Sequence, residues 1–374
     1  MELLDKIAYK KYKKREFTWE HLKDLIPKLR QRIIEKKGKG DDFTPLFLDT
    51  LFGYLSEPQR RLLDIFSIYR DPVPGEAAAV QGMVMEDDDC TKLEDLSLLE
   101  CIALEDRDLY YVHRLTAQYL LQQMKAAQRK QYHKKAAKYF AALLDGEGKI
   151  FLEDLIEARW HWPRADEWNQ AAEITFDLED YLSLRGYPQR ALELLQELQL
   201  EKLKDENRAQ VHHRIGILYA DFFGEYDQAI FHYNKSKEIN EKMDNIKGVS
   251  SSLHSIGMIY QYKGDYDAAL KQYQKSMEIK EKIGDIAGAA ISMAQIGTLY
   301  FKQNKFETAL KLFIKAFLVF AQIGSPYANQ ARKDIARVQE KLPREQFNAI
   351  LKEFNLNPEV FDKMEAEEQP GKEK

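Results

Sequence analysis

Between Asn207 and Phe320 one pattern recurs three times, at a spacing that leaves few folds open. It reads Ile215-Gly216-x-x-Tyr219, Ile256-Gly257-x-x-Tyr260 and Ile296-Gly297-x-x-Tyr300, so the glycine steps are 41 and 40 residues. A second block follows each: Gly224-Glu225-Tyr226-x-x-Ala229, Gly264-Asp265-Tyr266-x-x-Ala269 and Asn304-Lys305-Phe306-x-x-Ala309, with both steps 40. The odd residue therefore lies between Tyr219 and Gly224. An aromatic stands four residues after each alanine, at Tyr233, Tyr273 and Phe313. Small Gly and Ala suit two helices that cross closely, and the large rings fill what remains. Gly-Asp between the halves is turn chemistry, since glycine accepts positive φ and aspartate caps the next helix. A unit of this size cannot bury its apolar face alone. The copies must stack, and the spacing predicts an all-α chain built on an α-solenoid of helical hairpins.

The pattern resembles the tetratricopeptide repeat in its 40-residue variety, with the linker Ile283-Gly284-Asp285-Ile286-Ala287-Gly288 and a degenerate copy, Met243-Asp244-Asn245-Ile246-Lys247-Gly248. The resemblance implies a right-handed superhelix whose first helices line a concave groove for a protein or peptide. Counted from the repeat glycines, that groove presents His213 and Ile217, then His254, Met258, Gln261 and Tyr262, then Thr298, Phe301 and Lys302. The set is apolar and aromatic with little charge, which suits an extended or helical peptide held by shape and a few hydrogen bonds. The Lys and Asn clamp for a C-terminal carboxylate, known in chaperone-binding members, has no match. The asparagine often found two residues before the repeat glycine is here Arg214, Ser255 and Gln295.

Composition closes off other classes. The 374 residues carry a formal net charge of −5 with 44% hydrophobic and 31% charged residues, so nothing draws the whole chain to nucleic acid or anionic lipid. Cys90 and Cys101 have no metal-ligand spacing and read as reduced thiols of a cytoplasmic protein. Residues 1–15 lack the apolar core of a signal peptide, and no apolar run reaches membrane-spanning length.

In chain order, residues 1–43 form a helical segment: a basic cluster at Tyr9–Arg15, a helix at Trp19–Lys37 and a flexible boundary at Gly38 and Gly40. Residues 44–124 form a compact domain. Ser56-Glu57-Pro58 starts a helix with Ser at the cap and Pro in the first turn. Short helices are expected near 75–84 and 91–100. The period then turns from helical to alternating in Cys101–Glu105 and Leu109–His113, a β-hairpin. Helices followed by a hairpin are the winged-helix arrangement. Leu55–Leu63, Tyr69-Arg70-Asp71-Pro72-Val73-Pro74, Leu96-x-x-Leu99-Glu100 and Tyr111-Val112-His113-Arg114-Leu115 resemble the winged helix of STAND signalling NTPases, which precedes their repeat sensors. The resemblance implies a nucleotide-sensing role for His113, flanked here by Val112 and Arg114, and a nucleotide-binding domain as partner in cis or trans. Neither Gly38-Lys39-Gly40-Asp41 nor Gly146-Glu147-Gly148-Lys149 has the glycine and hydroxyl spacing of a phosphate loop, so this chain alone should bind no nucleotide cofactor. The alternative is a transcriptional regulator. Against it, the helix before the hairpin, Thr91–Glu100, is net acidic and follows Glu86-Asp87-Asp88-Asp89, which phosphate repels.

Residues 125–205 read as a helical connector. It comprises one long helix, Leu115–Leu144, basic along one face, a hinge at Gly146-Glu147-Gly148, and degenerate hairpins around Trp160 and Tyr187. Residues 206–324 hold the three repeats, 325–361 the capping helices and 362–374 a disordered tail. His213 and His254 occupy equivalent positions, yet the third is Ala294, so no metal site is expected. No nucleophile stands beside a base in any catalytic motif, and the chain reads as non-enzymatic.

Overall fold

The computed structural model describes residues 44–104, 107–144 and 152–357. The expected helix at Trp19–Lys37, the basic cluster, the Gly146-Glu147-Gly148 hinge and the tail lie outside them. The chain divides into two compact units, Met1–Leu178 and Glu179–Lys374.

In the first unit α1 (Thr44–Phe52) and α2 (Glu57–Phe66) lead into β1 (Val73–Pro74), α3 (Glu76–Val80), α4 (Asp87–Asp95), β2 (Glu100–Ala103) and β3 (Asp108–Tyr111). Ser56 caps α2 in a reciprocal box, its Oγ accepting from Gln59 N while Gln59 Oε1 accepts from Ser56 N. The hairpin pairs Cys101 with Tyr110 and Ile102 with Leu109, and β1 adds a third antiparallel strand on β3 in the order β1-β3-β2. Leu62, Leu63, Ile65 and Leu93, each fully buried, form the core between these helices. Helix α4 starts four residues earlier than the apolar pattern suggests. Asp87, Asp88 and Asp89 sit in its first turn, where carboxylates favour the positive end of the helix dipole, and Ser97 at φ 56° lies just beyond its end.

The long helix expected at Leu115–Leu144 is two: α5 (Arg114–Gln123) and α6 (Ala126–Leu144). Met124 between them is extended (ψ 132°) and buried, so packing, rather than a Pro or Gly, breaks the run. Two bonds tie α6 to the turn after α3: Gln81 Nε2 donates to Tyr132 O at 3.0 Å and Lys135 Nζ to Gln81 O at 3.2 Å. Next come α7 (Leu152–Arg164) and α8 (Trp168–Leu184), the latter crossing into the second unit.

The second unit continues with α9 (Pro188–Gln196) and three hairpins: α10 (Asp205–Leu218) with α11 (Tyr226–Lys242), α12 (Ile246–Tyr262) with α13 (Tyr266–Lys282), and α14 (Ile286–Lys302) with α15 (Phe306–Gln322). The extra residue of the first repeat is absorbed by a π-helical turn, Tyr219–Phe223. The repeat glycine is explained by its neighbour. A Cβ on Gly257 would stand 2.8 Å from the Tyr273 ring, and one on Gly216 or Gly297 would meet Tyr233 or Phe313 as closely. Each hairpin thus closes on a ring that lies flush against glycine backbone. Helices α16 (Tyr327–Gln339) and α17 (Arg344–Glu353) end the array, covering Phe313 and Phe317 with Ile335, Phe347 and Leu351. The described chain is an α-solenoid with one small sheet.

Candidate functional site

A cleft of 530 Å³ opens at the first repeat, wholly within the second unit. Glu206, His213, Arg214 and Ile217, spaced to share one face of α10, form one wall with Glu179 and Asp180 at the end of α8. Ser236 and Asn240 of α11 make the floor, and Asn245, Lys247 and Ser251 at the start of α12 face the α10 wall. The floor is fixed. Asn240 Nδ2 donates to Ser236 O at 2.9 Å and its Oδ1 accepts from Asn245 Nδ2 at 2.8 Å. Gly248 lies so close above it that a Cβ there would stand 2.3 Å from Asn240 Oδ1.

The cleft exists because the first repeat departs from its neighbours at positions outside the repeat signature. Forty residues on from Asn240 stands Lys280, 7% exposed, whose Nζ donates to Ser292 Oγ at 3.2 Å. Forty further is Phe320, packed into the cap. Where the first repeat has Ser251, the second has Ile291. Two shorter side chains leave the volume open.

His213 and His254 hold matching places, each ring 5.1 Å from the aromatic of its own second helix, Tyr233 or Tyr273. Burial first, then Arg214 beside His213 and Lys280 near His254, holds both imidazoles down at about 4, so both are neutral at pH 7. They differ in use. His254 Nδ1 reaches Ser292 Oγ at 3.3 Å, whereas no protein partner is recorded for the His213 ring nitrogens at the cleft. Arg214 Nη1 spans Glu179 Oε2 (2.5 Å) and Asp180 Oδ1 (2.8 Å), one guanidinium for two carboxylates. Glu179 is buried and also accepts from Ser183 Oγ at 3.0 Å.

The other expected groove residues are spread over the second and third repeats. Met258 packs against the buried cluster of Ala269, Tyr273, Ile296 and Leu299, and Gln261 Oε1 accepts from Tyr273 OH at 3.2 Å. Tyr262 is 54% exposed and stacks on Tyr226 with centroids 6.0 Å apart. Thr298 Oγ1 donates back to Ala294 O. Phe301 lies against Phe306, with the Arg337 guanidinium of the cap 5.1 Å from its centroid, and Lys302 Nζ is 5.6 Å from the Tyr266 ring. Only His213 and Ile217 of the set line the cleft. Asn240, Asn245 and the α8 carboxylates do so unanticipated; setting the second-helix ends side by side, Asn240 against Lys280 and Phe320, is the signal that marks the first of them.

In the first unit His113 is exposed and caps α5, its Nδ1 accepting from Leu115 N at 3.4 Å. The basic face of α6 is largely engaged. Lys130 pairs with Asp166 at 2.8 Å, Lys134 with Glu167, and Arg129 Nη1 donates to Leu121 O. Among the described residues no His, Cys, Asp or Glu group of three could hold a metal, and no helix is long and apolar enough to cross a membrane.

Comparison with known proteins agrees with the repeat geometry. The tetratricopeptide-repeat family matches residues 209–243 and 248–322. No curated protein matches the sequence. Among solved structures the chain is similar to a Signal Transduction ATPase with Numerous Domains (STAND) protein with a tetratricopeptide repeat sensor from Pyrococcus horikoshii, at 16% identity and TM-score 0.43 over 94% of this chain. The chain spans 59% of that protein's length. The apo form of RapI is similar at 15% identity and TM-score 0.44, covering 61% of this chain and 70% of RapI. BtubC from P. vanneervenii is similar at 14% identity and TM-score 0.40, covering 67% of this chain and 96% of BtubC. Residues 209–243 and 248–322 are tetratricopeptide repeats, a protein-interaction module.

Proposed function

We propose that this chain is a non-enzymatic binding module, the sensor or adaptor part of a STAND-like signalling system, whose concave repeat face takes a protein or peptide in the cytoplasm. The observation that carries the reading is the first-repeat cleft, lined by amide, hydroxyl, imidazole and ion-paired groups that can grip a peptide, with Ile217 and Ala209 as apolar contacts. The groove continues past His254, Met258, Gln261 and Tyr262 to Thr298, Phe301 and Lys302. Residues 44–124, with their helices and three-stranded sheet, act as a winged helix, and 125–205 connect it to the repeats at 206–324 and the cap at 325–361. His113, exposed at the end of the hairpin, serves a nucleotide-binding domain supplied in cis or trans; the chain by itself should show no heat on titration with ADP or ATP.

Affinity capture tests the reading, with wild type set against a His213→Ala/Ile217→Ala/Tyr262→Ala variant of unchanged thermal midpoint. A specific partner retained by the wild type and lost by the variant is expected. Identical partner lists would reduce the repeats to scaffold and move the binding surface elsewhere.

A further inference from the structure

In the first unit, sulfur gathers around one cavity. Met83 and Met85, alternate residues of the run before α4, and Cys90 of α4 line a space of 490 Å³ together with Gly75 and Tyr110. The Met85 sulfur lies against that wall, since a Cβ on Gly75 would stand 3.2 Å from it and 3.8 Å from the Tyr110 ring. Both thioethers are part-exposed, so neither is spent on the core, whereas Cys90 is buried. Three carboxylates at the cavity, Glu76, Asp87 and Asp108, outnumber its one cation, Arg107. Burial first, then Glu94, Asp87, Asp89 and Cys101, pushes the Cys90 thiol up to about 11, so it is protonated at pH 7. What opposes a thiolate there favours a cation, and a thiolate carrying a monovalent ion adds no net charge to an acidic corner. The donor set selects the ion. Zinc sites are built from imidazole, thiolate and carboxylate, commonly four of them, while thioether and thiolate together are soft ligands that suit copper(I).

We propose that this cavity binds one copper(I) ion through the thioethers of Met83 and Met85 and the thiolate of Cys90. On binding, the Cys90 S–H bond breaks, an S–Cu bond forms and the proton passes to solvent; copper stays monovalent and no electron moves. Cys101, whose sulfur accepts from the Tyr110 hydroxyl, stands outside the lining and is not a ligand. The site is independent of the peptide-binding reading of the repeats.

Anaerobic titration of the full chain with copper(I), bicinchoninate serving as chromophoric competitor, tests the inference. One ion per chain is expected, with an apparent affinity about tenfold higher at pH 7 than at pH 6, because one thiol proton leaves as each ion enters. Met83→Leu/Met85→Leu keeps both thiols and nearly the same volume, so it should stay folded and lose at least about tenfold in affinity. Cys90→Ser should lose the binding, and Cys101→Ser should bind as wild type does. X-ray absorption of the loaded wild type should show a copper shell of sulfur alone. Copper that stays with bicinchoninate, wild-type affinity in the methionine variant, or binding that follows Cys101 in place of Cys90 would overturn the proposal. The methionine comparison carries most weight, since any thiol takes up copper(I) to some degree and only a built site depends on the thioethers.

Discussion

At Gly257 the repeat pattern can be tested one atom at a time. Any side chain there drives into the Tyr273 ring, itself fully buried, so Gly257→Leu should destabilise the array by about 1–3 kcal/mol. An unchanged midpoint in urea would mean that the hairpins do not close as described. This contact was legible in the sequence, because glycine, alanine and the ring recur in phase. The floor of the cleft was not, since Asn240, Lys280 and Phe320 share no residue type and only the surrounding fold reveals that they occupy one place. His254 gives a pH prediction. The fold favours its neutral form, so its contribution is fully present above the unfolded-state pKa near 6.5 and is lost as pH falls toward about 4. His254→Gln, which can still bond Ser292, should therefore gain on wild type by about 2 kcal/mol between pH 7 and pH 5. Parallel urea curves with a constant offset at the two pH values would show that burial does not hold this imidazole neutral.

Elements follow the sequence wherever capping and periodicity agree, as at α2 with its Ser56 box and Pro58, and at α12 through α15. They depart from it where tertiary packing decides. Strand β1 is two residues long and carries a proline, so no alternation announces it; it forms because Val73 can pair with Tyr110 on the open side of β3. The interruption at Met124 likewise has no local breaker. Arg214 joins α8 to α10 and so probes the start of the array. Arg214→Ala leaves Glu179 buried without its cation and should cost about 3 kcal/mol. The double variant Arg214→Ala/Glu179→Gln should recover much of that loss in urea titration; a double variant as unstable as the single would locate the defect in lost packing rather than stranded charge. The cap is tested by truncation. Ending the chain at Gly324 exposes Phe313, Phe317 and Phe320 together, a patch expected to drive self-association in sedimentation velocity at micromolar concentration.

For the whole molecule the governing property is that a solenoid is stabilised by nearest neighbours, so a properly ended piece folds without the remainder. The second unit begins inside α8, at Glu179, and a cut there would destroy the helix that supplies the acidic wall of the cleft. The turn at Asp166, held at φ 65°, is the better boundary, because it keeps α8 whole from Trp168 onward. A fragment of residues 167–374 forfeits the Lys134–Glu167 pair, which is part-exposed, and the Arg159 Nε to Thr175 Oγ1 bond at 3.1 Å. The first, a part-exposed ion pair, contributes about 0–1 kcal/mol, and the second, a hydrogen bond to the buried Thr175, about 0.5–1.5 kcal/mol. The fragment should therefore melt cooperatively, with a helical circular-dichroism spectrum, and bind the partner captured by the full chain with an affinity within about threefold, ~0.7 kcal/mol. Residues 1–166 should capture none of it. If instead the fragment folds but binding follows residues 1–166, the partner is recognised by the first unit, and the concave repeat face loses its place as the binding surface.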